Sequence, residues 1–102
     1  MDLKELSKDK VYMTLVGYAE LAAELLERET ASGSLIRVDG ICDTIRDMVN
    51  KSNPKLNEDQ AEYFNRIFER ALEKSIKVLE KDYHQSEIYF MQNLLSHIRS
   101  YK

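Results

Sequence analysis

Six carboxylates fall at helical spacing in the first half of this chain: Glu20, Glu24 and Glu27, then Asp39, Asp43 and Asp47. Residues three or four apart share a helix face, so Glu24 with Glu27 and Asp39 with Asp43 can each present two carboxylates on one side. Converging between two helices, such pairs would suit Mg²⁺, a hard cation that takes oxygen ligands and often bridges to substrate phosphates. The competing expectation is a solvated acidic face.

The stretch Glu24-Leu25-Leu26-Glu27 resembles the Glu-x-x-Glu pair of the all-α nucleoside triphosphate pyrophosphatases of the MazG type, in which that pair is followed a short way on by Glu-x-x-Asp. The second half departs from the pattern, because Asp39-Gly40-Ile41-Cys42-Asp43 has a different interval and begins with Asp. The pair also sits on the first long helix, where that family usually has another helix before it. The resemblance implies Mg²⁺-dependent release of pyrophosphate from a nucleotide, with Glu24, Glu27 and Asp43 holding the metal.

Other chemistry-bearing residues are sparse. His84 and Glu87 stand at i,i+3, a spacing that can serve a metal, but no second ligand pair accompanies them. His84 and His97 lack the basic and glycine neighbours that would cradle a phosphoryl group, so neither is read as a phosphotransfer histidine. Cys42 lies on an apolar stripe and is expected to act as a small buried hydrophobe rather than as a nucleophile. The more telling excess is aromatic and sulfur-rich, with six Tyr, three Phe and four Met. Tyr83, Tyr89, Phe90, Met91 and Tyr101 gather near the C-terminus, and one helix face cannot bury them all. Tyr has an apolar body and a polar tip, and Met adapts to irregular partners, so this group is the expected protein-binding surface.

The elements that must position these residues are helices. Lys55 to Lys102 contains no Gly or Pro, and its apolar residues recur at helical spacing. A first helix is expected from a cap at Ser7, with Tyr12, Leu15, Val16, Ala19, Ala22, Ala23 and Leu26 on its buried face and its end in Thr30–Gly33. Gly17, inside that helix among small neighbours, marks a place where another helix is expected to come close. A second helix follows Ser34, buries Val38, Ile41, Cys42, Ile45, Met48 and Val49, and is closed by Pro54. Asn57 opens a third with Gln60 as capping-box partner and Leu56 stapled to Ala61. Its core stripe runs through Phe64, Ile67, Phe68, Ala71, Leu72, Ser75, Val78 and Leu79, and Glu62–Arg66 and Glu73–Lys77 are surface pairs. The stripe slips phase near Asp82–Ser86, which predicts a corner before a last helix carrying Ile88, Met91, Leu95 and Ile98.

At 102 residues, 43% hydrophobic and 32% charged, the chain reads as one domain, residues 1–102, neither disordered nor membrane-spanning. Its net charge of −3 shows no clustered Lys/Arg, so no nucleic-acid partner is expected. The charged start Met1-Asp2-Leu3-Lys4-Glu5 and the lone cysteine point to a reducing cytoplasm. The sequence thus predicts an all-α antiparallel bundle of three to four helices, the last two long enough to pair with a second copy into a homodimer. The leading expectation for function is a small non-enzymatic regulator, inhibitor or adaptor that binds another protein and needs no cofactor. Its size suits a phage or mobile-element product. The alternatives are the Mg²⁺-dependent pyrophosphatase and a purely structural homo-oligomer.

Overall fold

Two helical hairpins account for nearly all of the chain. The computed structural model describes the backbone of residues 3–82 and 84–101, and side chains from residue 10 onward within those limits. Helix α1 spans Leu3–Ser32 and α2 Leu35–Ser52; a 3-10 turn, Asn53–Lys55, leads to α3, Glu58–Lys81, and α4 is Gln85–Arg99. No strand occurs among the described residues. No described helix is long and apolar enough to cross a membrane.

Local chemistry explains the punctuation. Among the described residues helix α1 begins at Leu3, not after Ser7, because Leu3, Lys4, Glu5 and Leu6 are strong helix formers. It stops where Gly33 takes φ +78°, a left-handed angle that glycine adopts without a Cβ clash. The Gly33 N–H then donates to Thr30 O and the Ser34 N–H to Glu29 O, each at 3.1 Å, which satisfies carbonyls the helix end would otherwise orphan. Ser34 opens α2 without a side-chain cap; its hydroxyl pairs with Ser32 instead. Asn57 caps α3 in a full capping box: the Gln60 N–H donates to Asn57 Oδ1 at 2.8 Å, and the Asn57 N–H to Gln60 Oε1 at 3.1 Å. Residues 57–101 therefore do not form one rod. They divide at Asp82–His84 into helices of 24 and 15 residues, and the long element of the protein is α1, with 30.

The hairpins lie side by side in the same sense. Lys74 on α3 reaches Glu27 on α1 at 3.6 Å, and Tyr63 faces Tyr12, so α1 and α3 run parallel. His97 and Tyr101 at the end of α4 both meet Asn50 near the end of α2, while Glu87 meets Asp39 near the start of each, so α2 and α4 are parallel as well. Helix α1 thus packs on α2 and α3, and α4 on α3 and α2, with the 3-10 turn crossing the bundle diagonal. The result is a compact all-helical bundle of 52 × 24 × 17 Å.

One core runs through all four helices. It includes Ala19, Ala23 and Leu26 from α1 and Val38, Cys42, Ile45 and Val49 from α2. Phe64, Phe68, Leu72 and Leu79 join from α3, and Met91, Leu94 and Ile98 from α4. Phe64 and Phe68 meet edge to face with centroids 5.2 Å apart. Asn53 and Asn65 are buried together: each amide nitrogen donates to the other's carbonyl oxygen at 2.9 Å, which bolts the turn to α3. The Ser75 hydroxyl is buried without a partner. An unmade buried hydrogen bond costs about 1–3 kcal/mol, so Ser75→Ala should leave stability unchanged or raise it by about 1 kcal/mol in urea unfolding.

Two expected contacts are made differently. Glu73 binds Arg99 Nη2 at 2.6 Å across α3 and α4 rather than Lys77 within its own helix, whereas Glu62–Arg66 forms at 3.1 Å as the spacing predicts. The close approach expected at Gly17 is not made among the described residues: a Cβ there would meet nothing within 4 Å.

Candidate functional site

The carboxylates of α1 and α2 are not brought together. Glu24 pairs with Arg28 at 3.1 Å on the surface, Glu27 turns toward Lys74 of α3, and Asp43 lies exposed on α2. Among the described residues, no group of three or more His, Cys, Asp or Glu side chains is close enough to hold a metal ion. The separation follows from where each points: Glu27 sits on the flank of α1 that faces α3, and Glu24 stands in solvent beside Arg28.

A different acid pair does form. Glu87, in the first turn of α4, hydrogen-bonds to Asp39 near the start of α2, and this bond, with partial burial and the Asp39 charge, raises its carboxyl to about 7. The two residues are 48 positions apart, so no local spacing signals the contact. Beside them, burial pushes the Cys42 thiol up to about 12, with Asp39, Asp43 and Glu87 adding to the effect. A thiol held protonated in the core is a poor nucleophile, consistent with Cys42 as a packing residue.

The pair has a consequence for stability. Glu87 titrates higher in the folded chain than at its ordinary value of 4.5, so its contribution is complete below that value and is lost as pH rises through about 7. Because Glu87 is only partly buried, water screens the effect to about 1 kcal/mol or less. Between pH 5 and 8 the wild type should therefore lose a few degrees of melting temperature that Glu87→Gln does not lose.

The C-terminal aromatic group is dispersed. Met91 is fully buried among the core side chains, so it faces no partner; the α4 stripe that buries Ile88 and Ile98 carries it inward. Phe90 is half-buried against the core. Tyr101 donates its hydroxyl to Asn50 Oδ1 at 2.6 Å and stacks edge-on with His97, which itself meets Asn50 at 2.6 Å. These contacts hold the ends of α2 and α4 together. Tyr89 points outward, 68% exposed. Tyr83 lies outside the described residues. His84 ends the α3–α4 corner at the N-cap of α4, with no side-chain capping bond.

The larger exposed apolar surface is on α1. Val11, Tyr18, Leu21 and Leu25 are all well exposed, and with Thr14 they follow a 3-4-3-4 spacing that places them on one stripe. This stripe is distinct from the core stripe of Val16, Ala19, Ala23 and Leu26, so α1 is apolar on two sides. Beside it runs a groove of about 390 Å³ between α1 and α2, walled by Ala22, Leu25, Gly40, Ile41 and Thr44, with Glu29 and Arg37 at its rim. The groove draws only on the first hairpin, whose inner side is filled by core, so it lies on the outer side. The matching groove of the second hairpin, about 310 Å³, is lined by Glu58, Glu62, Arg66 and Glu69 beside Ala61, Asn65, Ile98 and Tyr101. The groove of the first hairpin is thus walled mainly by apolar side chains, whereas four charged side chains ring that of the second. Sequence reasoning missed the apolar one because Leu15, Ala22 and Leu26 already account for a buried face; the second set at 11, 14, 18, 21 and 25 is the signal that could have found it.

No family model, no curated protein and no solved structure matches this chain.

Proposed function

We propose that this chain is a non-enzymatic helical interaction protein, a small regulator, inhibitor or adaptor, that works by docking the outer face of the α1–α2 hairpin on another protein. The observation that carries this reading is the continuous exposure of Tyr18, Leu21 and Leu25 beside an apolar groove. Single exposed apolar residues are ordinary, but a contiguous stripe at helical spacing marks an interaction face. The acidic residues, by contrast, are spread into surface pairs with Arg28, Lys74 and Lys51. Tyr89, on the diagonally opposite helix, supplies a separate and smaller contact of the kind expected from the C-terminal rings. A reducing cytoplasm suits the single, unbridged Cys42.

Affinity capture with the immobilised chain tests the reading. A partner held by the wild type and by Tyr89→Ser but lost with Leu21→Glu supports the α1–α2 face, since Leu21 is exposed and its replacement leaves the core intact. Mg²⁺ that raises the melting temperature, together with pyrophosphate release from a nucleotide, would replace this reading with the metal-dependent enzyme.

A further inference from the structure

The unequal ends of the hairpin stack restrict what can cover the apolar one. A head-to-tail stack of copies would press Tyr18, Leu21 and Leu25 against Glu58, Glu69 and the Glu62–Arg66 pair, taking four charges out of water against apolar side chains. Like against like avoids this cost, and it closes after two copies because the charged faces remain outermost. We propose that the apolar outer face of the α1–α2 hairpin is a homodimer interface, formed about a two-fold axis with α1 antiparallel to α1 of a second copy. The inference rests on the reading of this face as a protein-docking surface and names what covers it in the free chain, so that a foreign partner binds by displacing the second copy.

The residues along α1 are placed for that symmetry. Val11 and Leu25 stand seven residues to either side of Tyr18, and Lys10 and Glu24 seven to either side of Gly17. With an axis near Gly17 and Tyr18, the apolar positions of one copy meet those of the other, and each Lys10 meets the partner copy's Glu24, twice over. Antiparallel helices juxtapose the same flank of each, so both pairs have matching sign. The Glu24–Arg28 pair that Lys10 would disturb is two-thirds exposed and worth little. Gly17 and Gly40 have open space where a Cβ would stand, so both helices can be approached closely from outside. These are two helical glycines that the folded monomer does not explain, since glycine inside a helix is less favourable than alanine.

The area is adequate for a reversible dimer. From Val11 to Leu25 the stripe runs about 21 Å along a helix about 10 Å across, and with the α2 side of the groove two copies would bury on the order of 1,000 Å² in total, the lower bound for a specific interface. A dissociation constant in the micromolar range is expected, roughly 1–100 μM.

Sedimentation equilibrium on the full chain, from about 1 μM to 1 mM, reads the proposal. The wild type should pass from monomer to dimer, and Leu21→Glu should weaken the dimer at least about 30-fold with an unchanged circular dichroism spectrum. Lys10→Glu should weaken it several-fold, and adding Glu24→Lys to that variant should restore it. Gly17→Cys should form a disulfide-linked dimer on mild oxidation, while Glu80→Cys on α3 should not. A monomer throughout the range, a dimer indifferent to Leu21→Glu, or larger open assemblies would each overturn the inference. If the chain is monomeric but Leu21→Glu still abolishes capture of a foreign partner, the homodimer falls and the docking face stands. If Leu21→Glu changes neither, both fall.

Discussion

Phe68→Ala should remove about 3–5 kcal/mol of folding stability, as expected for truncating a fully buried phenylalanine. Phe68 is completely buried, packs edge to face on Phe64, and sits midway along α3, which contacts both α1 and α4. The loss combines the transfer energy of the ring with the cavity left behind, because α3 is held by neighbours on both sides and cannot collapse into the gap. For a domain of this size, each kcal/mol moves the melting temperature by about 4–8 °C, so a fall of roughly 12–40 °C is expected in calorimetry. A loss under about 1 kcal/mol would show that Phe68 is not enclosed as described. Tyr63, its exposed aromatic neighbour on the same helix, provides the control: Tyr63→Ala should move stability by less than about 1 kcal/mol.

Asn65→Ala should cost about 2–4 kcal/mol, more than its two neutral hydrogen bonds are worth on balance. The reason is what it leaves behind. Asn53 uses one amide hydrogen on Val49 O at 2.8 Å and the other on Asn65, and it accepts from Asn65 in return. Deleting Asn65 strands a donor and an acceptor of Asn53 in a dry site at the turn where the chain crosses from the first hairpin to the second. The double variant Asn53→Ala/Asn65→Ala should therefore be less damaging than the sum of the singles, with a coupling of about 1 kcal/mol or more in urea unfolding. Strict additivity would contradict the reciprocal pair.

Much of this architecture is legible in residue order because it is decided within a few positions. The Asn57–Gln60 capping box, the helix end at Gly33 and the corner near Asp82 all follow from short-range chemistry, and each appears where the spacing places it; α2 also ends before Pro54, yet Asn53 keeps helical angles and the chain turns extended only at Leu56. Most core positions of α2 and α3 are equally plain, because a single apolar stripe on each helix leaves one way to bury it. What escapes is whatever two distant segments decide together. Glu73 has a well-placed Lys77 one turn away but takes Arg99, which only the packing of α4 on α3 brings within reach. The Asn53–Asn65 and Asp39–Glu87 pairs have no signature at all in local spacing. Periodicity reports how apolar a face is but not which of two apolar faces is covered, so α1 conceals its exposed stripe. The C-terminal rings mislead for a related reason: crowding in sequence is not crowding in space, and Met91 and Tyr89 lie two residues apart yet face the core and solvent respectively.

The central claim is that the working surface is the outer face of α1 and α2, and a methyl NMR spectrum of the full chain tests it most directly. Recorded during dilution or on addition of a captured partner, it should show changes concentrated at Val11, Leu21, Leu25 and Ile41, while the core methyls of Leu72, Leu94 and Ile98 stay in place. Changes centred instead on the methyls of α4, around Tyr89, with those of Leu21 and Leu25 unmoved, would contradict the account.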